Sequence, residues 1–229
     1  MSHTTIGDKM KKIWVLLLVF FCIVSVPLVA KSQVIYHGNR NSNHIYLTFD
    51  DGYSYKNTIK ILDTLKEKNV QATFFIEGDF LVQNPTIIRR IVKEQTLGNH
   101  TFSHKDITSM SDSQLRKDIL KFEEEAFKIT GMPVTKYFRS PMGKINKQKL
   151  QVLTELNYTV FHWDVSYYDY VYFDDRGIAH ALKNIMKQTQ NGSIILMHTL
   201  TKSNVNVLGT AIDKLREKGF VFSPLSELL

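Results

Sequence analysis

Two adjacent carboxylates, Asp50 and Asp51, end an apolar, β-prone run, Ile45-Tyr46-Leu47-Thr48-Phe49, and Gly52 follows them. Such a run reads as a buried strand. Side-by-side carboxylates at a strand end repel each other, and neither is stable when buried without a partner. A metal ion removes that cost for one and leaves the other free as a base; a plain Asp-Asp-Gly turn is the competing reading. His100 and His104 lie four apart, which puts two imidazoles on one face of a helical turn. With Asp51 they make a two-histidine, one-carboxylate set. That set suits zinc, iron, cobalt or manganese and leaves positions open for water and substrate.

Three further stretches place reactive groups after strand-like segments. Arg139, in Phe138-Arg139-Ser140-Pro141-Met142-Gly143, reads either as a surface residue before a turn or as a fork that holds a carboxylate. His198 ends Ile194-Ile195-Leu196-Met197-His198, as a satisfied core histidine or as a general acid for a leaving amine. Trp163 to Tyr170 carries Asp164, Asp169 and several aromatics, suited to a core or to an apolar platform for a sugar ring.

Stepping from these residues to the elements that carry them, strand-like and helix-like patterns alternate from His44 to the end of the chain. Helical spacing runs through Ile59, Leu62 and Leu65. Pro85 opens a second helix. Ser111 with Gln114 forms a capping box before a longer one, which Gly131 and Pro133 stop. Asn146 caps the next helix, and two more carry Ile178–Met186 and Leu208–Leu215. About seven strands are expected, in a parallel sheet flanked by helices. Pattern alone leaves an irregular β/α barrel and an open doubly wound sheet both standing. In either, polar residues at the strand C-terminal ends converge on one face.

Composition sets the outer limits. The 229 residues are 43% hydrophobic, enough for one full domain. Lys9, Lys11 and Lys12 precede an uncharged apolar run, Ile13 to Ala30, expected to be a cleaved secretory signal or an uncleaved membrane anchor. The lone cysteine, Cys22, lies inside that run, so disulfide and thiolate chemistry are excluded from the rest. Residues 31–43 are rich in Asn and Ser and read as a linker, which leaves 44–229 as the domain. The net charge is +7, and no Lys/Arg stripe interleaved with aromatics is present, so nucleic acid is disfavoured as a partner.

Taken in order, five stretches resemble the motifs of the NodB-homology polysaccharide deacetylases, carbohydrate esterase family four. They are Thr48-Phe49-Asp50-Asp51-Gly52; His100-Thr101 with His104; Arg139, Pro141 and Gly143; Trp163 with Asp169; and Leu196 with His198. The fourth departs from the family pattern, with Ser166 for its first acidic residue and Tyr170 for its last Trp. The glycine usual before the second motif is replaced around Gln95-Thr96. Within the family, Ile45–Asp50, Val160-Phe161 and His198–Thr201 are similar to the sporulation enzymes that make muramic δ-lactam in spore-cortex peptidoglycan. Those often carry Asn where this chain has Asp51.

The resemblance implies a distorted (β/α) barrel of seven or eight strands, the NodB-homology fold. It implies a divalent ion, zinc with cobalt or manganese as alternatives, bound by Asp51, His100 and His104. Asp50 is implied as general base held by Arg139, and His198 as general acid tuned by Asp169. Tyr53, through its backbone N–H at a developing oxyanion, and Pro141, Trp163 and Leu196 are implied at the substrate. The implied substrate is an N-acetylated glycan of the cell envelope: N-acetylmuramic acid in peptidoglycan, with N-acetylglucosamine in peptidoglycan or a chitin-like chain as the alternative. The protein is expected as a monomer, secreted or membrane-anchored. A glycan-binding member without catalysis and an anchored structural protein with a basic face are the rival readings.

Overall fold

A computed structural model describes residues 33–171 and 173–229. The expected signal or anchor, residues 1–30, lies outside them. Among the described residues no helix is long and apolar enough to cross a membrane. Eight strands form one curled, parallel sheet. In chain order they are β1 (Val34–Ile35), β2 (His44–Asp51), β3 (Thr73–Ile76), β4 (Thr96–Asn99), β5 (Tyr137–Phe138), β6 (Thr159–Phe161), β7 (Ile194–His198) and β8 (Val221–Phe222). The spatial order is β1-β6-β5-β4-β3-β2-β7, with β8 against the start of β2. Among the described residues seven α-helices surround the sheet: α1 (Tyr55–Glu67), α2 (Gly78–Gln83), α3 (Pro85–Glu94), α4 (Asp112–Thr130), α5 (Lys147–Glu155), α6 (Ile178–Gln188) and α7 (Lys202–Glu217). The curled barrel that the resemblance implies is adopted, and the open sheet, which pattern alone left standing, is not.

The helix boundaries follow local chemistry. Ser111 caps α4 and Gln114 returns its side chain to the Ser111 N–H at 2.7 Å, the expected capping box. Gly131 ends α4 with φ 71°, a conformation glycine adopts without a Cβ clash. Asn146 caps α5 and Thr201 caps α7. The short α2 carried no period long enough to read in advance.

Side-chain alternation on the central strand β2 decides the site. Ile45, Leu47 and Phe49 pack outward under the helices, with Leu62 and Leu65 of α1 and Leu208 of α7. Tyr46 turns inward, to Phe75, Phe161 and Ile194. The period of two then continues to the strand end. Asp50 falls on the barrel interior, and Asp51 on the side facing α1.

The expected linker is corrected. Part of 31–43 belongs to the barrel, because Val34 and Ile35 pair with Val160 and Phe161 of β6 and cover that edge. Two residues are too short for a sequence pattern, so this strand was missed. The same arm closes the barrel. His37 bridges Ser193, and the Gly38 N–H donates to the Gly192 carbonyl at 2.7 Å. Arg40 donates to the Asn191 carbonyl at 2.7 Å and to Asp164 at 2.6 Å. Asp164 also accepts the Ile194 N–H at 2.8 Å. So Asp164 serves barrel closure, not a groove. A chain starting at residue 44 leaves β6 as an open edge and Asp164 without its cation. Hydrogen bonds to charged groups contribute about 1.5–3 kcal/mol each, so that chain is expected to lose at least about 2 kcal/mol against one starting at residue 33. Equilibrium urea unfolding of the two chains measures the difference.

Candidate active site

The C-terminal ends of the strands meet over a cavity of about 440 Å³ lined by Asp50, Tyr53, His100, His104, Trp163 and His198, among others. Strand register brings them there. Asp50 lies beside His198 of β7 and Phe75 of β3, and Asn99, just before His100, lies beside Phe138, just before Arg139.

Arg139 is fully buried. Its Nη1 donates to Asp50 Oδ1 at 2.8 Å, Nε to the Phe161 carbonyl at 3.1 Å, and Nη2 to the His162 carbonyl at 3.0 Å. Phe75 stacks on the guanidinium at 4.2 Å. Arg139 thus holds a carboxylate as expected, though by one bond and not the expected bidentate pair, because its other two donors take backbone carbonyls; the surface alternative is overturned. Burial pushes the Asp50 carboxyl up, but Arg139, His100 and His198 outweigh it, so its pKa lies below the ordinary carboxylate value. Asp50 is therefore held ionised.

His198 faces it with a partner of its own. Its ring Nδ1 lies 2.7 Å from Asp169 Oδ1, and its backbone N–H donates to Asp169 Oδ2 at 2.9 Å. Asn204 donates to Asp169 Oδ2 at 2.6 Å and accepts from the Tyr167 hydroxyl. Burial disfavours the imidazolium, yet the Asp169 hydrogen bond and charge, with Asp50, raise the His198 pKa above the ordinary histidine value. The core-histidine alternative fails, because the ring lines the cavity.

His100 and His104 come together with ring centroids 5.0 Å apart, though not on a helical turn. They sit on a loop in which Thr101 (φ 70°) and His104 (φ 50°) are left-handed. Asn99 Oδ1 accepts the Thr101 N–H, Thr101 Oγ1 accepts the His104 N–H, and Asp118 of α4 accepts those of Phe102 and Ser103. These bonds hold a conformation that a β-branched residue resists. His100 Nδ1 lies 2.8 Å from the Arg139 carbonyl, so it carries the proton and leaves Nε2 as a lone-pair donor. Burial lowers the His100 pKa to about 4, which keeps the ring neutral.

Asp51 is placed differently from Asp50. It is fully buried and accepts from Thr58 of α1 at 2.7 Å, from the Thr199 hydroxyl, and from the Tyr53 backbone N–H. Among the described residues no cationic side chain pairs with it and neither histidine makes an ion-pair contact with it. Burial raises its pKa to about 7. The Tyr53 N–H, expected at an oxyanion, stands beside the Asp51 carboxylate. The Tyr53 ring lines the cavity, as do Trp163 and Leu196. Pro141 does not. The turn at 141–143 buries its ring and presents Met142 (φ 58°) instead. Ser166, in the departing motif, accepts the Trp163 indole N–H at 3.1 Å.

Glu77 was not singled out in the sequence. Its signal was available, since it directly follows the apolar strand β3, where polar residues converge. Its Oε1 lies 3.6 Å from His104 Nε2, is buried, and has no hydrogen-bond partner. Burial raises the Glu77 pKa, and the His104 charge opposes that.

The donors suit a borderline divalent cation by their chemistry: imidazole nitrogens, one of fixed tautomer, with buried carboxylates, one lacking a cation and one carrying an orphaned oxygen. Among the described residues no three converge as a closed cage. His100 and His104 line the cavity and each stands beside a carboxylate, His100 by Asp50 at 3.5 Å and His104 by Glu77 at 3.6 Å.

Comparisons with known proteins agree with this geometry. The polysaccharide deacetylase family profile matches residues 37–161. The peptidoglycan-N-acetylmuramic acid deacetylase PdaA of Bacillus subtilis is 34% identical over 203 residues, covering 88% of this chain and 77% of that protein. The peptidoglycan-N-acetylglucosamine deacetylase PgdA of Listeria monocytogenes is 35% identical over 207 residues, 90% of this chain but only 41% of that protein. The solved structure of B. subtilis PdaA, a family 4 carbohydrate esterase, superposes with a TM-score of 0.83 at 34% identity, over 86% of this chain and 85% of that one. By sequence, fold and motif order the chain belongs to the polysaccharide deacetylase family.

Proposed function

We propose that the protein removes N-acetyl groups from peptidoglycan in a metal-dependent hydrolysis, with N-acetylmuramic acid as the substrate sugar. The observation that carries the reaction is a pair of acid–base groups on neighbouring strands: Asp50 held ionised by Arg139, and His198 held toward its charged form by Asp169, lining one cavity with the imidazoles of His100 and His104. The muramic sugar is supported by the similarity to PdaA over most of both chains. Glucosamine is the second reading, supported by the similarity to PgdA. The N-terminal lysines and apolar run support a place in the cell envelope.

His100 and His104 would hold the ion with Asp51, whose buried carboxylate is otherwise without a cation. When bound, a divalent ion supplies Lewis-acid polarisation of the acetamide carbonyl and a more acidic water. The chain's own groups do the rest. Asp50 accepts the proton of the water that attacks the carbonyl carbon, and Arg139 fixes the carboxylate for that transfer. His198 gives its proton to the sugar nitrogen as the C–N bond breaks, releasing acetate and the free amine. Trp163, Tyr53 and Met142 supply the apolar wall against which a sugar ring packs.

Acetate release and mass change on intact peptidoglycan, set beside chitin oligomers, test the reading. Release from peptidoglycan is expected; turnover of chitin alone would overturn the substrate, and no release from either the reaction. The two neighbouring carboxylates separate next. Asp50→Asn is expected to keep its metal, by elemental analysis, while turnover drops about 10²–10⁴-fold. Asp51→Ala is expected to lose both. The pH profile of kcat gives a third measurement. His198 must be protonated to act, so activity falls as pH rises through its raised pKa. Asp169→Asn removes the charge that favours the imidazolium, so that alkaline limb is expected to move to lower pH.

A further inference from the structure

Resting on the metal-dependent reading above, we propose that Glu77 is a further ligand, its carboxylate binding the same divalent ion as His100 and His104. The backbone holds Glu77 between the two arms of the site. Its N–H donates to the Asp51 carbonyl at 3.1 Å, and the His100 N–H donates to the carbonyl of the preceding Ile76 at 3.0 Å. Position 77 therefore moves with both Asp51 and His100. Only 14% of the side chain is exposed, and Oε1 itself is buried without a hydrogen-bond partner. A buried carboxylate oxygen left unpaired is costly, and native structures leave few.

The separation of Oε1 from His104 Nε2, 3.6 Å, is too long for a hydrogen bond. Two donors each about 2.0–2.2 Å from one divalent ion can stand that far apart, and an ion that takes more than four ligands keeps positions for water and substrate. The Tyr53 phenol stands next to the same carboxylate. Gly52 gives it room: a Cβ there would stand 2.3 Å from Glu77 Cδ and 2.5 Å from Oε1. The charge balance agrees. Asp50, Asp51 and Glu77 bring three carboxylates to the site, and Arg139 pairs only with Asp50. A bound dication offsets the other two.

The test uses the full chain in detergent, stripped with a chelator and titrated with Zn²⁺ against a chromophoric competitor, and with Co²⁺ for its visible absorption. Glu77→Gln and Glu77→Ala are expected to weaken Zn²⁺ binding at least about tenfold and to change the Co²⁺ band shape. His104→Ala serves as the comparator. Wild-type affinity and an unchanged cobalt spectrum in both Glu77 variants, with His104→Ala losing the ion, would overturn the role of Glu77 and leave the metal-dependent reading intact. A wild-type chain that binds neither ion would overturn both.

Discussion

The structure depends on a buried guanidinium. Arg139 has no exposure to water, so its charge is tolerable only with a carboxylate partner and near-complete hydrogen bonding. Asp50 supplies the charge, from the central strand β2. The Phe161 and Phe75 positions supply a carbonyl and an aromatic face from β6 and β3. One side chain thereby ties three strands together across the barrel mouth. Removing either partner would strand a charge in the interior, which makes the pair a constraint on the strand order itself. It also decides the chemistry, because a carboxylate locked to a permanent cation stays ionised and fixed in direction.

The neighbouring strand β7 solves a related problem in another way. Asp169 is buried and has no arginine. It takes the His198 ring and backbone, and the Asn204 amide, as donors. Tyr167 then orients Asn204. The result is a carboxylate whose charge is spent on raising one imidazole, while Arg139 lowers one carboxyl. The gap between an aspartate and a histidine is widened, one being driven toward the base form and the other toward the acid form.

Much of the fold was legible in the sequence. The α4 capping box, the Gly131 stop and the apolar strand runs depend on neighbours within a few residues, and the structure has them. The missed pieces were short or distant. β1 is two residues long, and α2 six, so neither has a readable period. The helical turn expected for His100 and His104 failed because Asn99, Thr101 and the distant Asp118 hold the backbone in a left-handed loop.

The candidate site divides along the same line. Sequence alone determined which reactive residue types end the strands, and in what order: Asp50-Asp51, His100, Arg139, Asp169 and His198. These are local facts of strand pattern and motif spacing. Only the tertiary structure decided their partners. Alternation on β2 sends Asp50 to Arg139 and Asp51 to the Thr58 and Thr199 hydroxyls, a division of two neighbouring carboxylates that composition cannot express. Asp164 leaves the site for Arg40, and Glu77 enters it beside His104. Apart from Asp51 with Thr58, seven residues on, these pairings span tens to over a hundred residues of chain. They are set by strand order and register, which arise from packing the whole barrel rather than from any short stretch of it.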